Sequence, residues 1–287
     1  MSLKKIAVIA GLVVIVIFLG GGHAAAQKEA GEKNGGSAEN SKLVLRAGLD
    51  CFYNSEYACA EDSFKEYMKL EPADSVGNWR AALNYYFWLR FKQKVDAPKL
   101  DEISYRELTK LIQGGIEKAE LQEKETPQEA GFYLAIRSSL HSVESILKYA
   151  NGFPARDSFK VAAYEAERSA RLGSPYGIYL LGEMNYQIGR RVFYERWPLD
   201  TFARLRFRHR KGIAMIFSVP FKVQPEFAPD VWLHIFRMVV EENKDEIEPY
   251  ITPEIEKGLA GVIARYPRNE YVYKHSLLAR PRGTRRR

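Results

Sequence analysis

The chain has 287 residues, of which 46% are hydrophobic and 28% are charged, a balance typical of a folded protein with a sizeable core. Its formal net charge of +7 does not belong to the central part of the chain: Lys4 and Lys5 account for two charges, and the five arginines of segment 280–287 account for the rest. The basic overall charge is therefore poor evidence for nucleic-acid binding, which we do not expect.

The N-terminal segment has the three parts of a secretory signal. Two lysines precede the apolar run 6–19, and small residues follow as far as Ala26. We expect cleavage after Ala26, so that 1–26 is a signal peptide and the protein is periplasmic or otherwise secreted. The alternative is an uncleaved inner-membrane anchor, because the glycines after the apolar run extend it towards the roughly 17 residues that a spanning helix needs.

The remaining chain divides into four parts by composition. Residues 27–41 contain no large apolar side chain, and we expect them to form a disordered linker. A helical repeat domain is predicted over 42–190, followed by a helical or irregular segment, 191–273, that packs on the repeats. We expect the basic tail 274–287 to be a solvated, disordered end, and the alternative is a contact for an anionic membrane surface.

Helical spacing of apolar residues recurs along the chain, whereas no segment shows sustained strand-like alternation. Thr126, Ser174 and Thr252 each precede a proline as helix-cap residues do, and the segment starting at Ser104 has the capping-box form. The sequence therefore predicts an all-α fold. The predicted helices cover 42–54, 57–70, 75–93, 104–123, 127–149, 157–172, 175–188, 229–244 and 253–265.

The first two predicted helices carry a regular pattern of small and aromatic residues. Its members are Gly48, Ser55, Tyr57, Ala60, Phe64, Tyr67 and Pro72. Small residues let two helix backbones approach closely, aromatic residues fill the space against the next hairpin, and proline ends the second helix. A similar arrangement runs from Ala163 to Gly189.

With these residues the chain resembles a tetratricopeptide-repeat protein of the exported bacterial type, with one unit at 42–74 and another at 157–190. Residues 75–150, between the units, are predicted to be helical without the period of roughly 34 residues. The resemblance implies stacked antiparallel helix hairpins, a TPR-like α-solenoid, whose concave surface binds a protein or peptide of the cell envelope.

The concave surface implied by the resemblance would be more aromatic than charged. It would bind a partner by apolar burial and by tyrosine hydroxyl groups. The alternative is that a C-terminal helix, such as 231–240, packs on the same face and makes it core. The predicted groove residues are Leu45, Leu49, Phe52, Tyr53, Trp79, Leu83, Tyr86, Phe87, Tyr176, Tyr179, Glu183 and Tyr186.

The two cysteines, Cys51 and Cys59, flank the first predicted hairpin turn. Antiparallel helices bring such positions opposite each other, and an exported protein meets an oxidising environment. We therefore expect a disulfide. The alternative is a pair of small buried residues that do not bond.

The most unusual local composition is a basic segment that precedes the apolar hexamer 212–217. Its cationic residues are Arg204, Arg206, Arg208, Arg210 and Lys211. One interpretation is a surface that contacts an anionic membrane. The other is that these side chains pair with the acidic stretch 241–248.

The sequence contains no nucleophile, phosphate-binding, haem or zinc-protease motif, so we expect neither catalysis nor a cofactor or metal. Metal-type spacing is also missing among His141, His209, His234 and His275. The predicted function is a non-catalytic extracytoplasmic adaptor or scaffold. The alternatives are a helical module for a small apolar or lipid ligand and an envelope hydrolase that uses an acid such as Glu144 or Glu183. The sequence leaves the oligomeric state open.

Overall fold

The computed structural model describes residues 36–95, 97–189, 208–242 and 244–278. These residues form twelve α-helices and two short 3-10 helices, with no strand among them, which confirms the all-α prediction. No helix in these ranges is both long and apolar enough to cross a membrane. The predicted signal peptide, Arg204, Arg206 and segment 279–287 lie outside the described residues.

Two groups of helices follow each other along the chain. The first group is α1 (Gly36–Tyr53), α2 (Tyr57–Leu70), α3 (Ser75–Gln93), α4 (Glu102–Glu125), α5 (Ala130–Ala150), α6 (Arg156–Arg171) and α7 (Pro175–Gly189). The second group is α8 (His209–Phe217), α9 (Ala228–Glu241), α10 (Lys244–Ile247), α11 (Pro253–Arg265) and α12 (Glu270–Leu278). The 3-10 helices are Pro127–Glu129 and Glu248–Tyr250.

Neighbouring helices pack on each other in chain order from α1 to α8. In addition, α3 contacts α5 and α5 contacts α7, so alternate helices form an inner row. In the second group, α9 packs on α11. Sequential packing of helix pairs is thus a property of this structure, as the repeat pattern predicted.

Several helix ends follow local sequence signals. Asp74 caps α3 by accepting a hydrogen bond from the Val76 backbone N–H at 3.1 Å, and the Thr252 hydroxyl accepts one from Ile255 at the start of α11. The expected capping box at Ser104 was wrong. Instead Asp101 caps α4 by accepting from the Ser104 backbone N–H at 2.8 Å, so the helix begins two residues earlier.

The first hairpin has the close helix packing that its small residues predicted. A Cβ atom added to Gly48 would lie 2.8 Å from the Phe64 ring, and both Phe64 and Ala60 are fully buried. Cys51 and Cys59 form a disulfide across this hairpin, with their Cα atoms 5.8 Å apart. The disulfide prediction is therefore confirmed.

The end of the described chain packs on this same hairpin. The Asn269 side-chain amide donates a hydrogen bond to the Tyr53 carbonyl at 2.9 Å, and the Glu270 backbone N–H donates one to the Ser55 hydroxyl at 3.1 Å. Ser55 occupies the left-handed region at φ 61°. A turn that lies early in the sequence is thus completed by residues more than 200 positions later.

Helices α7 and α8 cross backbone to backbone. A Cβ atom added to Gly212 would lie 2.3 Å from the Tyr186 backbone nitrogen and 2.6 Å from the Gly182 carbonyl oxygen. Only glycine permits this approach without displacing main-chain atoms. The crossing fixes the start of α8, including His209, against the last turn of α7.

Candidate functional site

The predicted groove residues lie on α1, α3 and α7, and their rings make contacts between these helices. Ring centroids of Phe52 and Phe87 are 5.7 Å apart, those of Trp79 and Tyr176 are 5.3 Å apart, and Tyr179 follows Tyr176 at 5.4 Å. The structure therefore brings together residues from three distant parts of the sequence, as the repeat interpretation implies.

This face is not open. Eight of the predicted residues are buried, namely Leu49, Tyr53, Trp79, Leu83, Tyr86, Tyr176, Tyr179 and Tyr186. The other four, Leu45, Phe52, Phe87 and Glu183, are partly buried.

The second group of helices covers the inner face. The Phe227 ring lies 5.3 Å from Trp79, Tyr266 lies 5.2 Å from Tyr53, and His234 lies 5.8 Å from Tyr179. The sequence left two alternatives, an open groove and a face covered by a C-terminal helix. The structure shows the second: α9, which contains the predicted 231–240 helix, packs on this face because its apolar side needs burial. Partner binding by these residues stays a prediction that requires α9 to move away.

A buried ion pair holds α9 on α3. The fully buried guanidinium of Arg80 donates to both carboxylate oxygens of Asp230, at 3.2 and 2.7 Å, and stacks on the ring of Trp79 at 3.9 Å. Burial alone would lower the pKa of Arg80, but the Asp230 carboxylate outweighs that effect and raises it. Arg80 therefore stays charged inside the protein, which makes its carboxylate partner essential to the core.

Tyrosine hydroxyl groups extend this polar network along α9. Tyr176 donates to Asp230 at 2.8 Å, and the Tyr179 hydroxyl lies 3.3 Å from Nδ1 of His234. The His234 Nε2 atom is buried and has no hydrogen-bond partner among the described residues. Burial, and then the positive charge of Arg237, lower the pKa of His234 to about 3, so this imidazole is neutral at physiological pH.

Glu183 lies at the edge of the same network, with one carboxylate oxygen 4.0 Å from Nδ1 of His234. Burial among protein atoms disfavours the charged carboxylate and raises the pKa of Glu183 to about 7, although 40% of the side chain is still accessible to water. Glu144, the other acid singled out from the sequence, behaves in the opposite way: hydrogen bonds from His141 and Lys148 lower its pKa to about 2. With a pKa of about 2, Glu144 has lost its proton at neutral pH and is therefore a poor general acid.

The basic segment is only partly described. Arg208, Arg210 and Lys211 are exposed at the start of α8. Between these cations, His209 faces the acidic stretch 241–248. Its Nε2 atom lies 3.3 Å from a carboxylate oxygen of Glu246 and 3.8 Å from one of Glu242. In the described part of the chain, the expected pairing with this acidic stretch is thus made by a histidine.

One exposed feature was not recognised from the sequence. Large apolar side chains project from the turns at one end of the helix hairpins: Phe91, Val95, Ile103 and Phe153 are 55%, 45%, 71% and 52% exposed. We call these four residues the tip patch. Their signal is weak in the sequence, because an apolar residue near a helix end reads equally well as core.

The turns that carry the tip patch are joined to each other. The Gln93 side chain donates to the Lys99 carbonyl at 2.8 Å, and the Leu100 backbone N–H donates to the Asn151 side chain at 3.1 Å. The Phe153 ring also packs against Tyr105 at 5.5 Å. The tip patch is therefore presented by connected turns and not by loose ends.

Comparison of the chain with protein-family models, curated proteins and solved structures finds no match.

Proposed function

We propose that this chain is an exported, non-catalytic adaptor of the tetratricopeptide-like solenoid type, and that it binds a protein of the cell envelope through the tip patch. The observation that supports this proposal is the exposure of four large apolar side chains at one end of the helix hairpins. Large apolar side chains exposed on connected turns of a folded protein are a feature of interaction sites. Export is inferred from segment 1–26.

The surroundings of the tip patch favour a protein over an anionic membrane. Its rim contains exposed cations at Lys92, Lys94 and Lys99 and exposed acids at Asp101 and Glu102. An apolar centre with a rim of both charges resembles a protein–protein interface, whereas a surface that binds anionic lipid needs an excess of cations. We therefore assign the patch to a protein partner.

The filled inner face also supports this choice of surface. With α9 held by the Arg80–Asp230 pair, a partner on the inner face would first have to displace a helix and expose a buried ion pair. The tip patch needs no such rearrangement. A partner that docks there buries apolar surface that water already contacts.

Site-specific photo-crosslinking in the native envelope tests the proposal. We expect a crosslinker at position 91 or 153 to capture a discrete partner that is absent when it stands at Tyr164, an aromatic residue of α6 that is 55% exposed. The double variant Phe91→Ser/Phe153→Ser should lose that partner, whereas Tyr164→Ser should keep it. Positions 91, 153 and 164 are all exposed, so each substitution should alter the unfolding free energy by no more than about 0.5 kcal/mol.

Equal capture from positions 91 and 164, or full recovery of the partner by the double variant, would contradict the assignment to the tip patch. A crosslink to lipid alone would contradict the assignment to a protein partner and indicate that the tip patch contacts a membrane.

A further inference from the structure

Three metal-ligating side chains converge where α7, α8, α9 and α10 meet. His209 opens α8, Glu242 directly follows α9, and Glu246 lies in α10. The His209 Nε2 atom is 3.3 Å from a carboxylate oxygen of Glu246 and 3.8 Å from one of Glu242, and all three ligand atoms lie within 4.8 Å of one another. This cluster is separate from the tip patch.

The imidazole of His209 is fixed in orientation. Its Nδ1 atom lies 3.0 Å from the backbone carbonyl oxygen of Tyr186, so Nδ1 is the donor and carries the ring proton. That carbonyl is in the last turn of α7, where the helix itself supplies no donor. In the neutral ring, Nε2 then presents its lone pair towards the two carboxylates.

Tyr186 also supports a second member of the cluster. Its ring stacks on the His209 ring with centroids 5.0 Å apart, and its hydroxyl donates to the Glu242 carboxylate oxygen that does not face the histidine. Protein metal sites share this arrangement: the second ring nitrogen of a ligating histidine donates to a backbone carbonyl, and ligating carboxylates are themselves hydrogen-bonded.

We propose that His209, Glu242 and Glu246 form a binding site for a divalent transition-metal ion of the zinc class. Two ligand atoms of a tetrahedral zinc ion, each about 2.0–2.1 Å from the metal, lie about 3.3–3.4 Å apart. The observed 3.3 Å separation meets this requirement, and the 3.8 Å separation meets it after a side-chain shift of about half an ångström. The imidazole ligand favours zinc, copper or nickel over calcium, magnesium or manganese.

The cluster is also accessible to water. The side chains of His209, Glu242 and Glu246 are 18%, 8% and 32% exposed, so the cluster is sheltered but not closed. A bound ion would join the ends of three helices, α8, α9 and α10. The sequence did not reveal this site, because the histidine lies more than 30 residues before the two glutamates.

The competing explanation is that His209 interacts only with the two glutamates and takes up no metal. Titration of the untagged, oxidised mature chain with Co²⁺, followed by its visible absorption, separates the two. We expect one Co²⁺ per chain, displaced by Zn²⁺. At a Zn²⁺ concentration roughly 100-fold above Kd, Tm should rise by about 5–10 °C.

Matched variants locate the ion. His209→Asn keeps a side-chain N–H that reaches the Tyr186 carbonyl but removes the Nε2 ligand, so we expect Co²⁺ affinity to fall by at least about 100-fold. Tyr186→Phe removes only the hydroxyl group behind Glu242 and should weaken binding by about 10- to 100-fold. His275→Asn, which changes a histidine on α12, should bind the ion as the unmodified chain does.

Absence of Co²⁺ uptake by the unmodified chain, or unchanged uptake by His209→Asn, would overturn the proposal. A Tm measurement in EDTA checks that each variant is folded. Should His209→Asn fail this check, Glu246→Gln, at a partly exposed position, provides the same test with the same two outcomes.

Discussion

The two groups of helices are held together in different ways. From α1 to α7, each helix packs on its neighbour in the chain, and apolar periodicity with small residues such as Gly48 determines the fit. The helices from α8 onwards also pack on this stack, through α8 against α7 and through rings such as Phe227. Individual polar contacts across long sequence distances join them to the stack as well, such as Arg80–Asp230 and Asn269–Tyr53. We infer that the position of the second group depends on these few polar contacts in addition to apolar packing. Single substitutions should therefore affect the second group more.

The largest effect is expected from Asp230→Ala. It leaves the Arg80 guanidinium charged and unpaired inside the protein, and we expect a loss of about 3–5 kcal/mol in the free energy of unfolding. Urea unfolding followed by far-ultraviolet circular dichroism measures this loss. The double variant Arg80→Met/Asp230→Leu should recover much of it, because no buried charge remains.

A matched control for this prediction is Glu102→Ala, which breaks an ion pair with Arg106 whose side chains are 85% and 78% exposed. Exposed pairs contribute little, so its effect should stay below about 1 kcal/mol. A loss of under 1 kcal/mol for Asp230→Ala would show that the second group does not depend on the Arg80–Asp230 pair.

A smaller effect is expected within the first group, from loss of its covalent link. The disulfide closes a loop with a sequence separation of 8, for which the chain-entropy model gives about 2–3 kcal/mol. The double variant Cys51→Ser/Cys59→Ser should therefore unfold at lower urea concentration than the oxidised chain. Dithiothreitol should shift the midpoint of the unmodified chain towards that of the variant and leave the variant unchanged. The prediction is refuted when dithiothreitol leaves the urea midpoint of the unmodified chain unchanged.

The smallest effect concerns pH, at the boundary between the two groups. Folding lowers the pKa of His234 from 6.5 to about 3, so between these values the unfolded chain binds the extra proton and acidification destabilises the fold. Folding raises the pKa of Glu183 from 4.5 to about 7, so between those values acidification stabilises the fold. The two effects oppose each other between about pH 4.5 and 6.5.

Removing either group should reveal the other. Glu183→Gln should lose stability on acidification from pH 6.5 to 4.5 more steeply than the unmodified chain, with His234 contributing at most about 1.4 kcal/mol per pH unit. His234→Asn should become more stable over that range, by less, because water screens the partly exposed Glu183. Urea midpoints measured across this range test both signs. Parallel pH profiles for all three proteins would contradict the assignment.

The sequence predicted those elements whose causes are local. Helices α2, α3 and α11 have the predicted bounds, because turn and cap residues such as Asp74 and Thr252 act on the next few residues. Helices α8, α10 and α12 were missed. Their formation depends on distant contacts, as at Gly212 against the backbone of α7, and no local pattern reports such contacts.

The candidate sites follow the same division. The resemblance to tetratricopeptide repeats assigned residues such as Trp79 and Tyr179 to one face, but it could not show whether a later helix covers them. The tip patch was missed because exposure of Phe91 and Phe153 depends on how the turns stack. The His209 cluster was missed because its members come from separate helices.

The contacts of Asn269 and Glu270 with the first hairpin turn have a consequence for biogenesis. A chain synthesised from its N-terminus presents Tyr53 and Ser55 long before the residues that satisfy their polar groups. Native closure of the molecule has to wait for its final helices, which makes folding non-local and slow relative to a simple helical bundle. During that interval the aromatic inner face is uncovered, and we expect the incomplete chain to be prone to aggregation until α9 arrives.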